Sequence, residues 1–152
     1  MSGSSQTPSA RYIIGTVVTL AILITIVFST RYRKSVVFLS KSAVTFKERG
    51  PALDLEGCVN EVLVWNKKCE AMKDLCDKSV PRMMKTCLTA ADRKAQCSKL
   101  TFGPGFVRQY HKACGERGYK KGRVTKVCDR AYQTIGAHCQ WLEQHSSVTP
   151  NP

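Results

Sequence analysis

The chain has 152 residues, of which 43% are hydrophobic, 23% charged and 8% aromatic; 24 Lys and Arg face 11 Asp and Glu, for a formal charge of +13. That length holds one modest domain rather than a multidomain enzyme. The apolar content excludes a wholly disordered polymer, and 10 Gly with 6 Pro exclude a collagen-like or low-complexity chain.

Residues 1–11 read as a short polar tail. Residues 12–30, Tyr12 to Thr30, then carry no charge. At about 1.5 Å rise per residue they span roughly 28 Å, close to the hydrocarbon thickness of a bilayer. No face of this stretch is polar, which argues against a buried helix of a soluble core. Its Thr hydroxyls can bond back to their own helix, and Tyr12 sits where an interfacial aromatic belongs. Val27 and Ser29 are small enough for cleavage before Thr30. Yet the apolar run exceeds the ~7–15 residues of a signal peptide, and only Arg11 supplies a basic flank, so a retained single-pass transmembrane helix is expected.

Residues 31–50 form a basic amphipathic segment, with Arg31, Arg33, Lys34, Lys41, Lys47 and Arg49 against Glu48. Val36, Leu39, Ala43 and Phe46 recur at steps of 3, 4 and 3, which is one helical face. Such a segment can extend the membrane helix, lie along the lipid surface, or serve as a solvated stalk. Gly50-Pro51 ends it, because Pro51 disfavours helix at Gly50 and Gly is a natural helix stop. The domain boundary is placed there. Topology is in conflict. Three basic residues directly after the span point the following domain into the cytoplasm, whereas its cysteines point to an oxidising compartment.

All eight Cys lie in the domain at residues 51–145: Cys58, Cys69, Cys76, Cys87, Cys97, Cys114, Cys128 and Cys139. Their even number and density suggest a disulfide scaffold. Cys58, Val62, Trp65, Cys69, Met72 and Cys76 step by 3 or 4, forming one stripe on a helix expected from Asp54, its cap, to Lys78. Pro81 suits the first turn of a second helix carrying Met83, Cys87, Ala90, Lys94 and Cys97. After a loop at 99–105, Val107, Tyr110 and Cys114 share a face of a third helix. Gly115, Gly118 and Gly122 then break the chain. A fourth helix carries Val124, Cys128, Ala131, Ile135, Cys139 and Leu142. Residues 146–152 read as a disordered tail.

The expected fold is therefore all-α: a single N-terminal transmembrane helix, then a small disulfide-stapled domain of about four helices in two hairpins. Cysteines eleven positions apart on one helix point the same way but stand about 16 Å apart, so each must bond to a facing helix. Eight Cys allow 105 pairings. Cys76–Cys87 and Cys114–Cys128 across the two hairpin turns are preferred, leaving Cys58, Cys69, Cys97 and Cys139 to join the hairpins. Four disulfides at roughly 2–4 kcal/mol each would matter greatly to a domain with so few large apolar residues. Reduced core cysteines in a cytoplasmic domain are the competing reading. Paired cysteines on helical hairpins are a feature of the twin Cys-x9-Cys proteins of the mitochondrial intermembrane space. The spacing here is ten, and Glu70–Leu75 holds no turn former, so the chain is not assigned to that family.

Catalytic signatures are sparse. There is no Cys-x-x-Cys and no zinc-type cluster. His111 and Cys114 could ligate a metal on one helix face, and His138 and His145 are the remaining His residues, but nothing marks a Cys–His nucleophile pair. The carboxylates from Asp54 to Asp77 alternate with Lys, as on a solvated helix face. No cofactor and no catalytic residue is expected.

The one surface feature with functional content is the basic run Arg108, Lys112, Arg117, Lys120, Lys121, Arg123, Lys126 and Arg130, opposed only by Glu116 and Asp129. It suits an acidic protein partner or an anionic surface. Nucleic acid is disfavoured for a tethered, oxidised domain without a recognised binding motif. The expected function is a non-enzymatic interaction module or accessory subunit on the non-cytosolic side. A thiol-based redox or other Cys enzyme, and a reduced cytoplasmic domain, are the alternatives.

Overall fold

In the computed structural model, which describes residues 8–120 and 122–146, the chain opens with a helix of 42 residues, α1 (Pro8–Arg49). It is followed by a 3-10 turn at Gly50–Ala52, then α2 (Leu55–Lys68), α3 (Lys73–Leu88), α4 (Lys94–Cys97), α5 (Pro104–Glu116) and α6 (Arg123–Ser146). No strand occurs among the described residues. Of the tails expected at 1–11 and 146–152, residues 1–7 and 147–152 lie outside them, whereas 8–11 begin α1 and Ser146 ends α6.

α1 has two halves. From Tyr12 to Lys34 every side chain is exposed, and the helix is long and apolar enough to cross a membrane. Its hydroxyls turn inward: Thr16 donates to Tyr12 O (3.0 Å), Thr19 to Gly15 O (2.9 Å) and Thr25 to Ala21 O (2.8 Å). From Ser35 onward the same helix docks on the domain. Ser35, Leu39 and Phe46 are buried, with Phe38, Ser42 and Ala43 half-buried. Val36, expected on the inner face, is exposed, and Ser35 takes that role because its hydroxyl accepts from Met72 N (3.1 Å). Ser42 Oγ accepts from Trp65 Nε1 (3.0 Å), and the Trp65 ring meets Phe46 edge-on at 5.9 Å. The basic segment thus extends the apolar helix without a break and packs into the bundle ahead of Gly50-Pro51.

Gly50 is required where α1 ends. A Cβ there would lie 2.6 Å from Ala90 Cβ and 2.7 Å from Cys87 O. Arg93, itself buried, secures the corner by donating to Gly50 O (2.6 Å) and Leu53 O (2.5 Å).

The first expected helix is not continuous to Lys78. α2 starts as anticipated, with Asp54 accepting from Gly57 N (2.6 Å), but it ends at Lys68. Cys69 and Met72 adopt extended backbone angles, and the chain reverses between them into α3. No residue of this turn needs positive φ, so it forms without Gly, Pro or Asn. Pro81 lies inside α3 rather than at a helix start. Its missing N–H frees the carbonyl four residues back, Asp77 O, which accepts instead from Arg130 of α6 (3.3 Å). The second expected helix is split, because α3 ends at Leu88 and only the four-residue α4 reaches Cys97. The α5–α6 connection uses Gly118 and Gly122 as expected, at φ +83° and +74°, whereas Gly115 lies inside α5. On α5 the inner face is Phe106, Tyr110 and Cys114, while Val107 is exposed.

The disulfides follow this revised topology: Cys58–Cys87, Cys69–Cys76, Cys97–Cys139 and Cys114–Cys128. Cys114–Cys128 crosses its hairpin as expected. Cys76–Cys87 does not form, because both residues lie on α3 with their sulfurs about 16 Å apart. Instead α2 and α3 are clamped at both ends. No disulfide joins the segment 58–87 to the segment 97–139. The halves meet through α2 and α3 against α6, where Val59, Val62, Val80, Met83, Val127, Ala131 and Ile135 belong to one buried core.

The elements share a common axis. α1 enters the bundle at Ser35, beside the start of α3, and leaves at Gly50, beside the end of α3. Arg123 at the start of α6 reaches Asp74 and Asp77 near the start of α3, and Cys139 bonds to α4 at the far end. α1, α3 and α6 therefore run in one direction, and α2 and α5 return.

Candidate functional site

The eight basic residues singled out between Arg108 and Arg130 do not make one free surface. Two of them hold the halves of the bundle together. Arg117 donates to Glu56 Oε2 (2.7 Å) and to the Tyr132 hydroxyl, which donates to the same Glu56 oxygen (2.9 Å). Burial and then the Glu56 bond push the Tyr132 hydroxyl up to about 12, so it stays a proton donor at any physiological pH. Arg123 donates to Asp74 Oδ1 (2.9 Å) and to Asp77. Asp77 is buried and also accepts from Asn66 Nδ2 (3.1 Å). Burial opposes its charge, but the bonds from Arg123 and Asn66 and the charges of Arg123 and Lys73 outweigh it, holding the carboxyl below the ordinary 3.8.

The other residues differ in availability. Arg130 is exposed but serves the carbonyl freed by Pro81. Lys112 faces Glu116 at 3.9 Å across exposed helix surface, an ion pair worth about 0–1 kcal/mol and readily exchanged. Among the described residues no carboxylate lies within 4.0 Å of Arg108, Lys120 or Lys126. Lys121 lies outside the described residues.

The metal candidates are committed elsewhere. His111 Nδ1 stands 3.1 Å from Asp129 Oδ1, and Cys114 is in a disulfide. Among the described residues no three His, Cys, Asp or Glu side chains gather to hold an ion, and no cysteine is free. His138 is half-buried beside α4. Burial, then the Arg93 and Lys85 charges, hold its imidazole below the ordinary 6.5.

Sequence reasoning missed a cleft of about 320 Å³ where the start of α2 faces α4, α5 and α6. Leu55, Leu100, Phe106, Tyr110 and Ile135 give it an apolar floor, and Gln109 opens its rim beside Arg108. Phe106 and Tyr110 are on the same α5 stripe as Cys114, the signal that could have flagged them. The chemistry on offer is recognition: an apolar recess on the helix that also carries two exposed cations, Arg108 and Lys112. Comparison with models of protein families, with curated proteins and with solved structures finds no match to this chain.

Proposed function

We propose that the chain is a non-enzymatic interaction module or accessory subunit, anchored by α1 through Tyr12–Thr30, whose bundle stands on the non-cytosolic side and engages an acidic partner through Arg108, Lys112 and Lys126. The observation that carries this reading is the closure of all eight Cys into four disulfides on a bundle continuous with an uncovered apolar helix. Cytosolic thiol buffers would keep such cysteines reduced, whereas extracytoplasmic compartments sustain them. α1 continues from span into bundle as one helix, which ties the presentation of the bundle to the span. The exposed cations steer an acidic partner toward α5 and set its orientation more than its final affinity.

Two measurements test this. Protease added to intact cells should digest the bundle if it faces the exterior, and protease added to intact organelles should leave it protected if it faces the lumen or intermembrane space; digestion that requires opening the cytosol would refute the assigned side. The detergent-solubilised full chain should bind poly-L-glutamate at physiological salt. Replacing Arg108, Lys112 and Lys126 by Gln together should weaken that binding about tenfold, at roughly 0.5 kcal/mol per exposed charge removed. Unchanged binding would remove these residues from the proposal.

A further inference from the structure

The fold gathers basic residues from three distant segments at the end of the bundle where α1 enters. Arg31, Arg33 and Lys34 of α1 are exposed there. The α2–α3 turn lies beside them, with Met72 N bonded to Ser35 Oγ (3.1 Å), and carries exposed Lys67 and Lys68. The α5–α6 loop reaches the same end: the buried Tyr119 ring lies under Lys67 Nζ at 4.8 Å, and the next residue, Lys120, is exposed. Carboxylates are few at this end. Asp74 and Asp77 are engaged by Arg123, and Lys73 also stands 4.0 Å from Asp77. Exposed Glu70 remains against six cations that have no ion-pair partner among the described residues.

We infer that this entry end is a headgroup-binding face that collects anionic phospholipids from the leaflet around α1. The inference rests on the reading that α1 spans a bilayer. Ser35 follows Thr30 by five residues, about 8 Å along an unbroken helix. The cations therefore sit within about one Debye length of the headgroup plane, where each Lys or Arg is attracted to anionic lipid. The geometry disfavours an acidic protein as occupant, since a gap of about 8 Å is narrower than a helix with its side chains, about 10–12 Å. The ligand is an anionic phosphodiester headgroup, held by several lysines and arginines at once.

The test uses the full chain in phosphatidylcholine vesicles containing a minor fraction of phosphatidylglycerol. Spin-labelled lipids report which species is immobilised at the protein. The wild type should retain phosphatidylglycerol over phosphatidylcholine by about threefold. K68E/K120E should bring that ratio close to one, while K94E/K99E, with the same charge change on exposed residues toward the far end, should leave it unchanged. A ratio unaltered by K68E/K120E, or lowered equally by both variants, overturns the inference. Loss of the preference on adding inorganic phosphate would assign the face to a free anion and overturn it too. Release of the chain from vesicles by alkaline carbonate would instead refute the membrane anchor itself.

Discussion

The two staples of the α2–α3 hairpin close loops of very different length, and their removal should have unequal effects. Cys58–Cys87 spans 29 positions, whereas Cys69–Cys76 spans 7. If a disulfide acts mainly by restricting the unfolded chain, these correspond to about 3.6 and about 2.4 kcal/mol at 25 °C. The difference, about 1.3 kcal/mol, depends only on the ratio of loop lengths. Packing adds to it in the same direction, because Cys58 and Cys87 are fully buried while Cys69 is half-buried. Ala replacement of both members of each pair, in the full chain in detergent, isolates each staple. Denaturant unfolding followed by helix circular dichroism should give a larger midpoint loss for C58A/C87A than for C69A/C76A. Equal losses, or a larger loss for the short loop, would refute the assignment of the outer staple as the main constraint.

Other perturbations probe the rest of the bundle. Gly50→Ala should destabilise by roughly 1–3 kcal/mol, because its Cβ would meet backbone at Cys87; a thermal melt within error of wild type would contradict that. His138 is held below 6.5, so the unfolded chain takes up a proton near pH 6.5 that the folded chain refuses. Stability should fall as pH drops below 6.5 and level off once folded His138 protonates, and His138→Gln should flatten that slope in denaturation at pH 7.5 and 5.5. Asp77 is held below 3.8, so its contribution is complete above that value and is lost as pH falls further. Asp77→Asn should weaken the acid dependence of unfolding below about pH 4. Cleavage at an engineered protease site between Ala90 and Asp92 should release two fragments on a denaturing gel without reductant. A single band would mean that a disulfide crosses between the halves.

Much of this architecture is legible in the residues. The uncharged run at Tyr12–Thr30, the Asp54 cap, the Cys114–Cys128 crossing and the inner stripe Cys128, Ala131, Ile135 and Cys139 all follow from periodicity and helix-end chemistry. The reversal at Cys69–Met72 was hidden because its turn uses ordinary backbone angles and so leaves no Gly or Pro signature. The spacing held a clue: Cys58 and Cys69 mirror Cys76 and Cys87, each pair eleven positions apart about a short connection, as two facing helices require. Pro81 misled for a complementary reason. A proline inside a helix is tolerated when another group takes the freed carbonyl, and Arg130, fifty-odd positions away, does so. The basic run read as one surface because charge alone does not reveal partners. Glu56, Asp74 and Asp77, which engage Arg117 and Arg123, lie far upstream in the chain.

The most direct test is a peptide mass map of the unreduced full chain taken from its native membrane, with free thiols blocked at lysis. Four linked pairs are predicted: Cys58 with Cys87, Cys69 with Cys76, Cys97 with Cys139, and Cys114 with Cys128. Blocked thiols at these positions, or a link between the 58–87 and 97–139 segments, would contradict the account.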